Sequence, residues 1–518
     1  MSGYRDTRGL DHTEPAFTDV IIRGIAGGGG LYVPASLPTL SPDAIRSFQG
    51  LSYPIIAARL FQLFEVDLHT GRTRTLMEAA YGDNFDTPSI VPVVEAAHGM
   101  HLLELWHGPT AAFKDLALQC MPLFFCEAAA RKRRSGDLQE DYLILVATSG
   151  DTGKAALDGF AGRDHVRIAV FYPFEGVSYI QRKQMVTQQG RNISVFGVDG
   201  DFDDCQDAVK AVFNDAAFNR DLRKRYRLRL SSANSINWGR LLPQIVYYLS
   251  AYVRMVDAGA VEAGQPIDIC VPTGNFGNIL AAYYAKRIGV PVERLICASN
   301  ENRVLADFLA TGVYDISGRT IIRTPSPSMD ILISSNLERL LFEVSGDPEK
   351  IRRWATQLGE EGRFQVDSAT FSAICSDFSG GSVTNDDCLA TIRQVYDSCG
   401  RLLDPHTAVA WEIAERCREE RPLLVAATAH WAKFGRDVFR ALKGIPYEDP
   451  LPREAAGLSA AQLSGRVEEM APGAEIPPWL AGLDVQEERF SKVIDGSAEG
   501  VRSALLDWLE GGDHARPE

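Results

Sequence analysis

Residues 142–153 are Tyr-Leu-Ile-Leu-Val-Ala-Thr-Ser-Gly-Asp-Thr-Gly, and this stretch decides the fold class. Its apolar half, 142–147, is short, rich in β-forming residues and uninterrupted, which is typical of a strand buried in a parallel sheet. The small polar residues after it lead into a predicted helix over 154–162. A strand, a small polar loop and a helix N-terminus together form an anion site from backbone N–H groups and hydroxyls. The glycine spacing does not fit a nucleotide P-loop, because only two residues separate Gly150 from Gly153.

The same arrangement occurs a second time, further along the chain. The strand-like run 267–271 is followed by Pro272-Thr-Gly-Asn-Phe-Gly-Asn278 and then by a predicted amphipathic helix from Ile279. Gly274 and Gly277 allow unusual backbone angles and a close approach to a phosphate group. The sequence therefore predicts two anion-binding loops.

Short β-rich runs alternate with helical stretches along most of the chain, which is typical of βαβ units and predicts an α/β fold with parallel sheets. Ligands of such sheets bind beyond the carboxyl ends of the strands. The predicted helices cover 116–130, 154–162, 179–189 and 202–214. The predicted strands are 142–147, 166–172, 193–198, 267–271, 295–298 and 423–427.

Composition excludes several classes of protein. The chain has 518 residues, 45% of them hydrophobic and 23% charged, as in an ordinary globular protein of two or three domains. A formal net charge of −15 argues against a nucleic-acid partner. No apolar run of about 20 residues is present, so no membrane role is expected. The nine cysteines are scattered, which predicts reduced thiols, no metal site and a cytoplasmic protein.

One lysine is a candidate nucleophile. Lys114 lies in His107-Gly-Pro-Thr-Ala-Ala-Phe-Lys-Asp115, at a turn before the long apolar stretch predicted as a helix. A helix N-terminus and an apolar setting both disfavour the charged amine and lower its pKa. Alone, this lysine is more simply an exposed turn residue. Together with two anion-binding loops it indicates imine chemistry, which points to pyridoxal phosphate acting on an amino acid.

The ordered set of motifs resembles the threonine synthase family, in its long bacterial and fungal form. The resemblance implies a fold type II pyridoxal-phosphate enzyme, similar to the tryptophan synthase β subunit, with two open parallel-sheet domains. Residues 1–97 would form an N-terminal cap, 98–240 a smaller domain with the reactive lysine, 241–447 a larger domain with the phosphate loop, and 448–518 a C-terminal tail with one helix near 501–509. The motifs that carry the resemblance are Tyr4–Gly9, His107–Thr110 with Phe113–Asp115, Ala147–Gly153, Ser232–Trp238, Thr273–Asn278, Pro327–Asp330, Asp404–Val409 and Thr428–His430 with Ala432–Phe434.

The resemblance also implies roles for the cofactor site. Lys114 would form the Schiff base with pyridoxal phosphate and later move protons. The cofactor phosphate would be held by the loop residues Gly274, Asn275, Phe276, Gly277 and Asn278. Thr428 would face the pyridine nitrogen with a neutral hydroxyl. Asp151 or a neighbour would lie near the cofactor's 3′-oxygen, although its charge suggests that it faces away or caps the next helix.

Substrate residues follow in the same way. The loop residues Thr148, Ser149, Gly150 and Thr152 would clamp the substrate carboxylate. Threonine synthase needs a second phosphate pocket for O-phospho-L-homoserine, and Arg240 is the leading candidate because guanidinium binds phosphate bidentately. Further candidates for substrate binding are Asn237, Ser178 and Lys433. His406 and His430 are expected only to brace loops.

Several alternatives stay open, because Ala112, Tyr179, Arg182 and Trp431 depart from the family's usual residues. The leading hypothesis is conversion of O-phospho-L-homoserine and water to threonine and phosphate. A paralogue could act on a related phosphorylated or phosphonate amino acid, or a lyase could release a 2-oxo acid, ammonia and phosphate. A catalytically silent relative is a fourth possibility. The chain is expected to be a monomer or homodimer with a small-molecule partner.

Overall fold

A computed structural model describes residues 3–97, 99–136 and 139–511 of the chain. Its strands form two large sheets and two small ones. The strands are β1 (Tyr4–Asp6), β2 (Tyr32–Pro34), β3 (Val93–Ala97), β4 (Met100–Glu104), β5 (Asp141–Ala147), β6 (Val166–Pro173), β7 (Ile193–Asp199), β8 (Leu228–Ser232), β9 (Ile267–Pro272), β10 (Val292–Ser299), β11 (Val313–Asp315), β12 (Arg363–Gln365), β13 (Phe378–Ser382), β14 (Leu423–Ala427) and β15 (Val493–Asp495).

The helices connect and cover these sheets. They are α1 (Phe17–Arg23), α2 (Pro42–Arg46), α3 (Tyr53–Leu63), α4 (Thr70–Ala80), α5 (Lys114–Leu118), α6 (Met121–Arg134), α7 (Asp151–Phe160), α8 (Tyr179–Val186), α9 (Phe202–Asn214), α10 (Ala216–Asp221), α11 (Trp238–Asp257), α12 (Gly277–Arg287), α13 (Val304–Thr311), α14 (Leu337–Ser345), α15 (Pro348–Glu361), α16 (Ser368–Asp377), α17 (Asn385–Cys399), α18 (Pro405–Arg416), α19 (Gly435–Lys443), α20 (Ala460–Met470), α21 (Pro478–Ala481) and α22 (Ala498–Glu510). A π-helix spans Leu222–Tyr226, and 3-10 turns span Pro327–Met329, Trp431–Phe434 and Leu483–Val485.

The five-stranded sheet has the order β15-β7-β6-β5-β8 and is parallel throughout. Alternate residues of β5 face different cores. Leu143 and Leu145 pack in a cluster with α9 and α22, whereas Ile144 and Val146 face the main core of the molecule. Because both faces are buried, β5 is apolar along most of its length, as the sequence predicts.

The six-stranded sheet has the order β13-β10-β9-β14-β4-β3. It is parallel except for its last pair, β3 and β4, which run antiparallel. The two large sheets place the carboxyl ends of β5, β9 and β14 at the loops that carry the predicted site residues. The α/β fold with parallel sheets is confirmed, and all six predicted strands are present within two or three residues of their expected ends.

Sheet membership crosses all three of the expected segment boundaries. β3 lies in the segment 1–97 and β4 in 98–240, yet both belong to the sheet built mainly from the third segment. β15, from the tail, pairs with β7 in the other sheet, and the tail contains three α-helices where one was expected. The division into cap, two domains and tail stays a proposal.

The prediction of one continuous helix over 116–130 is wrong. The structure has α5 and α6, separated at Gln119 and Cys120. Pro122 has no N–H to donate to the carbonyl of Leu118. That carbonyl instead faces Gly159 of α7, where a Cβ atom would come within 1.9 Å of it. The break therefore allows α7 to pack closely behind the lysine. In the part of the chain that the structure describes, no helix is long and apolar enough to span a membrane.

Candidate active site

A pocket lies where the two large sheets meet, with about 640 Å³ of space between its walls, including the open solvent at its mouth. Its walls come from the starts of five α-helices, from the loops that follow β8, β9 and β14, and from the turn at 327–329. The residues that line it are Phe113, Lys114, Asp151, Thr152, Ser235, Arg240, Gln244, Pro272, Thr273, Gly274, Asn275, Phe276, Gly277, Asn278, Ser328, Met329, His406, Thr428 and Ala429.

Lys114 is the first residue of α5, and its side chain is buried against this pocket. Burial lowers its pKa to about 8, while the Asp151 carboxylate opposes that shift and the cations of Arg240 and Lys433 add to it. Its Nζ lies 3.7 Å from Asp151 Oδ2. A lysine with this pKa has a substantial neutral fraction near pH 8 and is a competent nucleophile. The structure places Lys114 at the start of α5 with a lowered pKa, and its role as the residue that carries the cofactor stays a prediction.

Asp151 faces Lys114, so the expectation that it turns away or caps a helix is wrong. Its carboxylate accepts hydrogen bonds from Lys433 Nζ at 2.7 Å and from Gln181 Nε2 at 2.8 Å. Burial alone would raise its pKa, but Lys433 and Lys114 together hold the pKa well below its usual range. The N-cap of α7 is Gly150, without a side-chain cap hydrogen bond. With φ at +133°, Gly150 adopts a conformation that favours glycine, and a Cβ there would meet the Gln181 side chain at 2.5 Å.

The loop after β9 forms a second anion cradle. Phe276 is the N-cap of α12 and adopts the left-handed conformation, with φ at 63°. Gly274 lies so close to the turn at 327–329 that a Cβ would come within 2.7 Å of the Ser328 carbonyl oxygen. The Asn278 side-chain oxygen accepts hydrogen bonds from Tyr247 and Tyr248, and the buried Asn278 Nδ2 has no hydrogen-bond partner within the described part of the chain. Free donors at a helix N-terminus fit the phosphate of pyridoxal phosphate.

Arg240 reaches the same pocket from the first turn of α11. It is 3% exposed, and its Nη1 donates to the Ala233 carbonyl at 3.2 Å, but its Nε has no hydrogen-bond partner among the residues that the structure describes. Burial lowers its pKa to about 10. No acidic side chain of the described residues forms an ion pair with it. A buried guanidinium without a counter-ion is a candidate anion site.

Other predicted substrate residues do not line the pocket. The Thr148 hydroxyl accepts from the N–H groups of Gly150 and Gly153, and thereby shapes the loop around Ser149. Ser178 caps α8 in a capping box, and the Asn237 side chain caps α11. Lys433 lies behind Asp151. Among the predicted substrate residues only Thr152 and Arg240 line the pocket.

Thr428 lines the pocket at the end of β14, as predicted, and its carbonyl accepts from Phe113 N–H at 2.8 Å. This bond connects the lysine loop to the six-stranded sheet. The orientation of the Thr428 hydroxyl toward a cofactor nitrogen stays a prediction.

Sequence reasoning assigned no role to Ser235, Gln244 or Ser328, which also line the pocket. Ser235 lies in the motif Ser232–Trp238 and Ser328 in the motif Pro327–Asp330. Membership of these motifs is the feature of the sequence that indicates a place in the pocket. His406 lines the pocket too, with Nδ1 2.8 Å from Asp404 and Nε2 accepting from Ser328 N–H. It braces that turn, in keeping with the expectation. His430 is buried, which lowers its pKa to about 3, and it accepts from Ala432 N–H.

The four unusual residues lie outside the pocket lining. Trp431 is buried in a hydrophobic cluster with α19 and α20, and Ala112 forms an isolated β-bridge with Ala429. Arg182 pairs with Glu488 at 2.8 Å, and Tyr179 is partly exposed at the start of α8. The charge of Arg182 is therefore compensated by the C-terminal segment and does not reach the substrate region.

Within the described residues, no group of three or more His, Cys, Asp or Glu side chains is arranged to hold a metal ion.

Comparison with known proteins agrees with this site. Residues 3–81 match the family described as threonine synthase N terminus, residues 92–426 the pyridoxal-phosphate dependent enzyme family, and residues 407–473 the threonine synthase C-terminal family. The chain is 35% identical to threonine synthase from Saccharomyces cerevisiae over 490 residues, covering 88% of this chain and 93% of that one. It is 44% identical to human threonine synthase-like 1 over 437 residues, covering 82% of this chain. It spans only 58% of the length of that human protein.

Solved structures give the same result. A crystal structure titled as PLP-bound threonine synthase from Brucella melitensis superposes with a TM-score of 0.84 at 35% identity, covering 99% of this chain and 100% of that one. Threonine synthase from yeast gives a TM-score of 0.84 at 32% identity, covering 98% and 99%. These matches extend over the whole architecture, including the C-terminal residues. The chain belongs to the threonine synthase family of pyridoxal-phosphate-dependent enzymes.

Proposed function

We propose that the chain converts O-phospho-L-homoserine and water to L-threonine and inorganic phosphate. The observation that carries this proposal is the Arg240 guanidinium, which has no acidic partner among the described residues. It lines the same pocket as Lys114 and the Gly274–Asn278 loop. The Gly274–Asn278 loop accounts for the phosphate of the cofactor. The buried Arg240 guanidinium is a separate anion site, and it calls for a second phosphate. A substrate that carries both an amino group and a phosphate meets both requirements.

Each of the side chains in the pocket has a separate role in this reaction. Bound pyridoxal phosphate supplies an electron-accepting ring that stabilises negative charge on carbon. Lys114 Nζ takes and returns protons at Cα and Cβ of the substrate, and its lowered pKa suits both directions. Arg240 holds the phosphate that leaves Cγ. The N-terminus of α7, with Thr152, holds the substrate carboxylate.

A lyase that stops after loss of phosphate is the second candidate. The 44% identity to human threonine synthase-like 1 is compatible with this alternative and does not favour it over threonine synthesis. Such an enzyme would use the same lysine, cradle and arginine, and would differ only in whether water reaches Cβ. Its products from O-phospho-L-homoserine would be 2-oxobutyrate, ammonia and phosphate.

One assay separates these activities. Purified protein with pyridoxal phosphate is incubated with O-phospho-L-homoserine, and phosphate, threonine and 2-oxobutyrate are measured together. We expect equal amounts of threonine and phosphate, and at least roughly a thousandfold slower turnover for Lys114→Ala, because removing a covalent and acid–base group typically costs this much. Phosphate with 2-oxobutyrate would identify the lyase. No turnover with either product would exclude both.

We also propose that the protein acts in the cytoplasm as a monomer or homodimer. All nine cysteines are free thiols, which supports a reducing compartment.

A further inference from the structure

Lys433 lies behind the pocket, where it cannot reach a substrate phosphate. Its side chain is 0% exposed. Its Nζ donates to the Thr110 carbonyl at 2.9 Å and lies 2.7 Å from Asp151 Oδ1. Both of these partners come from loops that carry the active-site motifs, although Lys433 itself comes from the last strand-to-helix connection of the six-stranded sheet. The charge of Lys433 is thus balanced by Asp151.

The two oxygens of Asp151 have different surroundings. Oδ1 accepts from Lys433 and from Gln181 Nε2 at 2.8 Å. Oδ2 lies 3.7 Å from Lys114 Nζ and accepts from Ser328 Oγ at 3.4 Å. One oxygen is therefore held by fixed donors, and the other is presented to the reactive amine. A buried carboxylate needs such partners to stay ionised.

We propose that Lys433 is a positioning residue that holds Asp151 facing the Lys114 nitrogen and takes up part of its charge, so that Asp151 favours the protonated form of Lys114 less than it would alone. The proposal rests on the proposed function in that Lys114 is the residue that carries the cofactor. Lys433 has a second effect, because the substrate carboxylate is expected at the N-terminus of α7, where Asp151 begins the helix. The positive charge of Lys433 offsets the negative charge of Asp151, and this weakens the repulsion between Asp151 and the substrate carboxylate.

The arrangement predicts opposite effects for two substitutions. The charged groups around Lys114 Nζ are Asp151 from α7, Arg240 from α11, Lys433 from its 3-10 turn and the neighbouring Asp115. Asp151→Asn removes the attractive charge and disfavours the protonated nitrogen. Lys433→Met removes a repulsive charge and leaves Asp151 entirely to Lys114, which favours the protonated nitrogen. A residue that only supported the fold would not produce shifts of opposite sign.

The experiment uses the full-length chain loaded with pyridoxal phosphate, and records the visible absorbance of the bound cofactor as a function of pH. We expect the apparent pKa to fall by about 1 pH unit in Asp151→Asn and to rise by about 1 in Lys433→Met, as for a charge removed from within a few Å. Lys433→Arg should stay near the wild-type value. Lys154→Met is the matched control, since Lys154 is a lysine on α7 that contacts Asp158 and Gln188 instead.

Shifts of the same sign, or no shift in Lys433→Met, would overturn the proposal. Lys433→Met should still fold, because Gln184 Nε2 also donates to the Thr110 carbonyl, at 3.2 Å. If the wild-type chain binds no cofactor, the proposed function fails. The inference about Lys433 is then tested by the pH dependence of Lys114 acetylation with acetic anhydride in the same variants. A Lys114 pKa that falls in Asp151→Asn and rises in Lys433→Met supports the inference, and any other pair of shifts refutes it.

Discussion

Two buried arginines show how the same side chain serves binding in one place and folding in another. Arg240 is 3% exposed and has one carbonyl acceptor, whereas Arg339 is 0% exposed and donates to Tyr32 O, Asn336 Oδ1 and Ile236 O. A buried charge is costly unless hydrogen bonds and counter-charges compensate it. Arg339 is compensated by the fold, and Arg240 is left for a ligand.

Replacing Arg240 by methionine should therefore separate activity from stability. We expect kcat/KM for O-phospho-L-homoserine to fall roughly 10- to 100-fold, because hydrogen bonds to charged groups contribute about 1.5–3 kcal/mol. The melting temperature should not fall, since an uncompensated charge leaves the interior. The measurements are steady-state kinetics and thermal unfolding.

Arg339→Met is the matched control for that experiment. It leaves three acceptors without their donor, so its melting temperature should drop clearly. If Arg240→Met lost stability like Arg339→Met and kept its kcat/KM, the assignment of Arg240 to the substrate would be wrong.

For individual residues, the sequence predicted one pocket, because loops after parallel strands meet at one sheet edge. The predicted residues that line it are Lys114, Thr152, Arg240, Thr428 and the Gly274–Asn278 loop. The sequence could not predict which polar loop residues are helix caps. A serine or asparagine at the start of a helix can cap the helix or bind a ligand with the same spacing. Ser178 and Asn237 cap helices. The orientation of Asp151 depends on Lys433, far away in the chain.

Among the secondary-structure elements, β4 and the loop after α4 are joined by a charged histidine. His107 Nδ1 lies 2.5 Å from Asp86, and its Nε2 lies 2.9 Å from Glu104, the last residue of β4. Burial opposes the charge of His107, but the two carboxylates together raise its pKa to about 9. The histidine therefore stays protonated at neutral pH and fixes the start of the lysine loop.

This bridge should make stability depend on pH. The pKa of His107 is raised in the folded chain from 6.5 to about 9, so its contribution is complete below pH 6.5 and is lost as pH rises through 9. At full strength it is on the order of 3 kcal/mol, at about 1.4 kcal/mol per pH unit. We expect the difference in unfolding free energy between wild type and His107→Gln to shrink over that interval, measured by urea unfolding.

His165→Gln, at a largely exposed histidine 3.0 Å from Asp141, controls for the loss of a histidine as such. A wild-type advantage that stays constant over the interval from the ordinary to the raised pKa would show that packing, and not the charge, is what His107 provides.

The C-terminal segment is a second connection between elements. Glu488 pairs with Arg182 and Lys183 of α8, and Arg489 N–H donates to the Val186 carbonyl at the end of that helix. Because α8 also carries Gln181, which holds Asp151, the tail supports the site through one intervening helix. The ion pair with Glu488 thus explains why an arginine stands at position 182. The sequence of α8 alone could not indicate this partner, because it lies in the C-terminal segment.

Over the whole molecule, the tail completes one of the two large sheets. β15 adds the edge strand beside β7, and α22 packs its apolar face on α9. Leu505 is 0% exposed in this cluster. The segment is therefore part of the core and not an appendage of it.

Leu505→Ala should accordingly destabilise the chain by about 2–5 kcal/mol, the usual cost of a buried leucine truncation. Val485→Ala, at a residue 90% exposed in the same segment, should change the unfolding free energy by no more than about 0.5 kcal/mol. Chemical unfolding of both variants checks the prediction. Equal, small effects would mean that the tail does not share the cooperative core.

The sequence predicted the central strands and the fold class because buried parallel strands are continuous apolar runs. In the two large sheets it missed β3, β4, β8 and β13, and it missed the joining of β15 to a sheet formed by residues 141–232. Short strands at or next to a sheet edge carry weak local signals, and their pairing is decided by contacts between distant segments.

The late position of β15 has a consequence for biosynthesis. On a ribosome adding roughly 5–20 residues per second, the partner of β7 emerges about 300 residues after β7 itself, some 15–60 seconds later. During that time the nascent sheet presents an open edge and the uncovered apolar face of α9, both of which favour association with other chains. The synthesis of β15, and not the appearance of the lysine loop, is therefore the step that first allows the five-stranded sheet to be completed.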